Sequence, residues 1–213
     1  MISQKIKQEV TQFIKGPAGQ LQIVLDKAIG TPRKALGFIC HPHPLYGGTM
    51  QNKVVTTLAK TFQNLGVTTI RFNFRGVGQS DGEYNHGDGE TDDLLAVINW
   101  AQREIGYNDI WLAGFSFGGY IAARAASLIN LKQLVTVAPA VQHFPMAELP
   151  PITCPWILVQ GERDDVVPAE VVYAWLEGRN PKPHIISFPD AGHFFHGDLG
   201  ELRRRLEEAL HDN

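Results

Sequence analysis

In Gly114-Phe115-Ser116-Phe117-Gly118 a serine is flanked by glycines two positions to either side. That spacing is the pattern of a serine nucleophile carried on a sharp strand-to-helix turn. The turn needs small residues at both ends so that strand and helix can pack closely. It also leaves the serine at the positive end of the helix, where unpaired N–H groups can stabilise an oxyanion. A serine hydroxyl has too high a pKa to attack a carbonyl at neutral pH, so it needs a nearby base and a group to orient that base. His193 is the candidate base, and Asp164 or Asp165 the candidate orienting group.

Positioning these residues requires a scaffold, and the hydrophobic pattern supplies one. Residues 10–14 and 21–25 are apolar stretches separated by the turn cluster Gly16-Pro17-Ala18-Gly19, which predicts an opening antiparallel hairpin. Strand-like runs follow at 35–40, 67–72, 109–113, 134–138, 156–160 and 184–188, and segments with helical patterning at 52–64, 89–104, 117–128, 169–177 and 198–211 lie among them. Such alternation predicts a mostly parallel central sheet with helices on both faces. No repeat, low-complexity segment or linker divides the chain, so residues 1–213 are expected to form a single α/β domain.

In an open parallel sheet, ligands bind beyond the carboxyl ends of the strands. Polar, glycine-rich or proline-rich loops follow five of the predicted strands. They are His41-Pro42-His43-Pro44-Leu45-Tyr46-Gly47-Gly48, the segment starting Asn73-Phe74-Arg75-Gly76, the serine turn, Gly161-Glu162-Arg163-Asp164-Asp165 and Asp190-Ala191-Gly192-His193. The serine, acid and histidine thus converge on one edge of the sheet.

Composition narrows the classes further. A hydrophobic share of 44% and a charged share of 19% are those of an ordinary globular protein, and a net charge of −3 offers no basic footprint for nucleic acid or for an anionic membrane. A small-molecule substrate is the expected partner. Cys40 and Cys154 read as small core residues, and the N-terminal Met1–Glu9 stretch has no apolar signal region, so a cytoplasmic location is expected. No metal or cofactor is expected: the His41/His43 and His193/His196 pairs lack a third ligand, and the glycines after residue 73 lack the spacing of a dinucleotide loop.

The chain order of serine, acid and histidine, together with the loops Gly161-Glu162-Arg163-Asp164-Asp165-Val166-Val167-Pro168 and Asp190-Ala191-Gly192-His193-Phe194, resembles the α/β-hydrolase superfamily over nearly all of the chain after the opening hairpin. The resemblance implies the α/β-hydrolase fold, with Ser116 as nucleophile, His193 as base and Asp164 as the acid, leaving Asp165 as a turn residue. It also implies an oxyanion hole made by the N–H of Phe117 and a second N–H from the loop after the third strand. Pro42 and Pro44 cannot donate, so among the four residues following His41 only His43 and Leu45 remain, and alignment with the superfamily's His-Gly-x-Pro pattern selects His43. The segment Asn73-Phe74-Arg75-Gly76 resembles a structural turn of the superfamily in which aspartate usually stands first.

Many proteins of this architecture insert a cap after the strand that follows the serine helix. Here the interval from Pro139 to Pro155 is too short and too interrupted by Pro145, Glu148, Pro150 and Pro151 for a cap domain. An open site rimmed by Leu45, Tyr46, Met50, Phe115, Phe144 and Met146 is expected, suited to a small or partly exposed acyl group. The resemblance points to small lidless bacterial serine hydrolases near the dienelactone-hydrolase and serine-peptidase-like branches. The expected reaction is carboxylic-ester cleavage. Thioesterase, amidase or peptidase action by the same triad, or a scaffold that keeps the fold without catalysis, are the alternatives.

Overall fold

The central strands are apolar on both faces because helices cover both, and this burial dictates the layered architecture. The computed structural model describes residues 10–211. The Met1–Glu9 reading therefore lies outside the described residues, as do both ends of the domain expected over 1–213. In chain order the elements are β1 (Thr11–Gly16), β2 (Gly19–Asp26), β3 (Ala35–Cys40), α1 (Lys53–Asn64), β4 (Thr68–Phe72), α2 (Asp88–Ile105) and β5 (Asp109–Phe115). They continue with α3 (Phe117–Ala125), β6 (Gln133–Val137), β7 (Trp156–Gly161), α4 (Ala169–Glu177), β8 (His184–Phe188) and α5 (Leu199–His211).

The strands form one sheet in the order β1-β2-β4-β3-β5-β6-β7-β8. The β1–β2 and β2–β4 pairs are antiparallel and every other pair is parallel, as the alternating pattern predicts. Strand β5 sits at the centre, and its pleat divides its side chains between two cores. Ile110 and Leu112 join residues of α2, α3 and α4, whereas Trp111, Ala113 and Phe115 join residues of α1 and α5. Helix α1 illustrates the matching helical pattern: Val54, Val55, Leu58, Ala59 and Phe62 are buried at near-3.6 spacing, and the Asn52 side chain caps the helix by accepting from Val54 N–H at 2.8 Å.

The crossover from β3 through α1 to β4 and the return through α2 to β5 run to opposite sides of β3. The ends of β3 and β5 therefore flank the switch point where an open sheet leaves a crevice. Between β6 and β7 only a short 3-10 turn at Met146–Glu148 intervenes, so no cap covers that crevice. Among the described residues no helix is long and apolar enough to cross a membrane.

Candidate active site

Strand β5 ends at Phe115 and helix α3 starts at Phe117, so Ser116 occupies the whole connection, with φ 55° and ψ −116°. A non-glycine residue in that region costs ~1–3 kcal/mol and persists only when its surroundings over-determine it. Those surroundings are visible. Ser116 N–H donates to Val137 O at 2.9 Å, fastening the turn to β6, and Gly119 N–H returns to Ser116 O at 2.9 Å. A Cβ on Gly114 would stand 2.0 Å from Gly118 O, and one on Gly118 would stand 2.3 Å from Cys40 O at the end of β3. Both glycines are required by backbone approaching backbone.

The histidine loop follows β8, and the buried Phe195 anchors it with φ 51°. His193 is itself buried, packed 4.9 Å from the Phe115 ring. Its Nδ1 lies 2.8 Å from Asp164 Oδ2 and its Nε2 3.1 Å from Ser116 Oγ. A carboxylate only accepts, so Nδ1 carries the ring hydrogen and Nε2 is left as the acceptor facing the hydroxyl. Asp164 is fixed in turn: Oδ1 accepts from Val166 N–H at 2.9 Å and Val167 N–H at 2.7 Å, and Gln160 Nε2 donates to Oδ2 at 3.4 Å. Asp165 is exposed on the same loop, while both ring nitrogens of His193 are engaged by Asp164 and Ser116.

The loop after β3 turns through a 3-10 segment, Pro44–Tyr46, with His43 at its start. Leu45 N–H donates to His43 Nδ1 at 3.2 Å, so of the two backbone donors among the four residues after His41, one is already spent. Among the described residues, the N–H groups of His43 and Phe117 donate to no protein acceptor. Two unspent backbone donors next to Ser116 are the physical requirement of an oxyanion hole.

His41 braces this loop from within the core. Phe74 N–H can only donate, so His41 Nε2 accepts it at 3.1 Å and the protonated Nδ1 donates to Pro42 O at 2.6 Å. Burial pushes the His41 pKa from 6.5 down to about 4, opposed by the Pro42 carbonyl and helped by neighbouring His43. Between those two values the unfolded chain binds a proton that the folded protein lacks. Stability therefore falls as pH drops from 6.5 towards 4, by about 3 kcal/mol over the window. Urea unfolding between pH 7 and 4 is expected to show this loss in the wild type and a shallower one in His41→Gln. Identical pH slopes in the two proteins would refute it.

The Asn73 turn is structural. Asn73 Oδ1 accepts from Met50 N–H at 2.9 Å and its Nδ2 donates to Gln22 Oε1 at 2.8 Å, a pairing that an aspartate could not make. Arg75 forms a bidentate bond with the buried Asp93 of α2, at 3.0 and 2.8 Å. These ties hold the loops after β3 and β4 together.

A cavity of about 520 Å³ opens beside Ser116. Of the six expected rim residues, Tyr46 and Phe144 line it and four do not. Met50 is buried where its N–H meets Asn73, and Met146 is buried in the core on the α2 and α3 side. Phe115 shares the pleat face of Trp111 and Ala113, which turns its ring to the opposite core and under His193. Leu45 is 67% exposed and outside the wall. The lining residues missed by sequence reasoning include Tyr84, His86, His143 and Val166. A larger cavity, of about 960 Å³, lies at the ends of α2 and α3 and includes none of the residues around Ser116. Its size alone does not make it the candidate site, because Ser116, His193 and the unspent donors lie elsewhere.

A serine on a strained strand-to-helix turn, held within reach of a buried histidine on a mostly parallel, capless sheet, defines the architecture of an α/β serine hydrolase. Residues 43–153 match the alpha/beta hydrolase fold family, and the chain belongs to it. The structure superimposes on an alpha-beta serine hydrolase homologue from Coxiella burnetii with TM-score 0.92 and 48% identity, covering 94% of this chain and 97% of that one. It superimposes equally, with TM-score 0.92 and 37% identity, on a serine hydrolase without lid from Xanthomonas campestris, over 97% of this chain and 95% of the other. An uncharacterised protein of Rickettsia prowazekii is 32% identical over 208 residues, 93% of this chain and 87% of its own length.

Proposed function

We propose that this hydrolase cleaves carboxylic esters of small molecules through a Ser116–His193–Asp164 triad and an acyl-enzyme. The observation that supports the reading best is the unbroken relay from Asp164 Oδ2 to His193 Nδ1 at 2.8 Å and from His193 Nε2 to Ser116 Oγ at 3.1 Å. As Ser116 Oγ bonds to the carbonyl carbon, its proton passes to His193 Nε2, and Asp164 steadies the resulting imidazolium. The carbonyl electrons move onto oxygen, which receives the N–H groups of His43 and Phe117. Collapse of this intermediate expels the alcohol, which takes the proton from Nε2. Water then repeats the sequence on the acyl-enzyme with the proton travelling the same route.

Thioesters and amides pass through the same intermediate, so leaving-group preference must be measured. Labelling of the wild type by a fluorophosphonate at neutral pH, with no labelling of Ser116→Ala, is expected; an unlabelled wild type would favour a scaffold. A panel sharing one acyl group as ethyl ester, thioester and anilide is expected to rank the ester first by kcat/KM relative to hydroxide-catalysed rates. A thioester or anilide ranked first would reassign the leaving group. Cys40 and Cys154 are both free, which supports a reducing, cytoplasmic setting.

A further inference from the structure

The 520 Å³ cavity has a sidedness that the hydrolytic relay does not by itself explain. Its wall includes Ser116, His43 and Phe117 but not His193. The leaving oxygen must lie towards His193 Nε2, which protonates it, so the cavity on the oxyanion-donor side receives the acyl group.

The wall is made of rings around His43, whose imidazole lies 4.9 Å from Tyr84, 5.2 Å from Phe117 and 5.9 Å from Phe144. It contains no Lys, Arg, Asp or Glu. Its polar atoms are biased towards donation. His43 Nδ1 already accepts from Leu45 N–H, which places the ring hydrogen on Nε2. Gln142 Nε2 donates to Val166 O at 3.0 Å, which fixes that end of the side chain as the NH₂ group. The same NH₂ faces His143 Nε2 at 3.0 Å, so His143 carries its hydrogen on Nδ1. Charging the His43 ring would break its bond from Leu45 N–H. For His43, burial, followed by the proximity of His143 and His86, opposes protonation further. Tyr84 keeps its phenolic hydrogen, since burial and Glu90 push its pKa up. Among the described residues no group of three or more His, Cys, Asp or Glu is arranged to hold a metal, so the imidazoles are not explained as ligands.

A wall of aromatic faces that carries no Lys, Arg, Asp or Glu and presents the His43 imidazole N–H and the Tyr84 O–H matches one acyl chemistry better than others. An alkyl chain would desolvate the imidazole N–H and phenolic O–H groups without replacing their bonds to water. A flat ring instead stacks on His43, Tyr84 or Phe144, and oxygen substituents on it accept from the donors. We infer that the preferred acyl group is a neutral aromatic one bearing an oxygen acceptor on its ring, of the alkoxybenzoyl type. This rests on the ester-hydrolase reading above and adds to it the class of acid released.

The test separates the two. Ser116→Ala protein is titrated with 4-methoxybenzamide and with hexanamide, neutral mimics of the two acyl groups, while the wild type is treated with a fluorophosphonate and with p-nitrophenyl butyrate. The aromatic amide is expected to bind at least tenfold more tightly, and Tyr84→Leu or the exposed-site change His143→Leu in the same background to narrow that ratio at least threefold. Hexanamide binding as tightly or more tightly, or a ratio that neither variant changes, overturns the inference while a labelled, active wild type leaves the hydrolase reading standing. A wild type neither labelled nor active overturns the reading and the inference together.

Discussion

Ser116→Ala is expected to lower kcat/KM for p-nitrophenyl butyrate by roughly 10⁴- to 10⁶-fold. The substitution removes a hydroxyl that faces His193 Nε2 at 3.1 Å and is flanked by unspent backbone donors. The fold should be retained, because the backbone bonds that hold the turn are made by Ser116 N–H and Ser116 O and do not involve Oγ. A Tm within about 2 °C of the wild type would show that stability is not the cause. His193→Ala should cost a similar factor, and the double variant little more than either alone, since the two groups act as a unit. Asp164→Asn tests the acid by another route. The amide oxygen must stay with Val166 N–H and Val167 N–H, which would aim its NH₂ at His193 Nδ1. That position then becomes an acceptor, the ring hydrogen moves to Nε2, and the base can no longer take the serine proton. A loss of about 10³- to 10⁴-fold is expected. Equal rates in wild type and Ser116→Ala would sink the assignment of the nucleophile.

The parts of this site that could be read from sequence are those that depend on short-range rules. The glycines around Ser116 are legible because a Cβ at either position would stand 2.0 or 2.3 Å from a backbone oxygen, and the parallel sheet because helix-like and strand-like patterns alternate. The choice between His43 and Leu45 as donor was narrowed by two prolines and the superfamily pattern. The structure adds the 3-10 turn in which the His43 ring captures Leu45 N–H. The choice between Asp164 and Asp165 likewise rested on resemblance, because neighbouring aspartates in a turn have the same local chemistry until a loop rotates one towards His193. The pocket was the least legible part. Phe115 adjoins Ser116 in sequence but not at the rim, because its parity with Trp111 and Ala113 assigns it to the opposite core. Tyr84, His86 and His143 were missed because they lie well beyond the strand ends, in loops that only the folded chain brings back to the serine.

Gly118 joins the fold to the chemistry most directly, and Gly118→Ala is expected to damage both. Its new Cβ would lie 2.3 Å from Cys40 O and 2.6 Å from His41 O, both backbone atoms of the strand and loop that carry the His43 donor. No side-chain rotation relieves such a contact, so α3 and the end of β3 must separate. Overpacking of this kind costs ~3 kcal/mol, which in a domain of this size lowers Tm by roughly 6–12 °C. The same separation moves Phe117 N–H, at the start of α3, relative to His43 N–H. Displacing one oxyanion donor by about 1 Å is enough for a loss of roughly a hundredfold in kcat/KM. Gly200→Ala is the matched control, because a Cβ there meets nothing within 4 Å on helix α5. It should stabilise the protein by about 0.5–1 kcal/mol and leave kcat/KM unchanged. If Gly118→Ala melted and turned over like Gly200→Ala, the close approach of α3 to β3 would not be what sets the distance between the two donors.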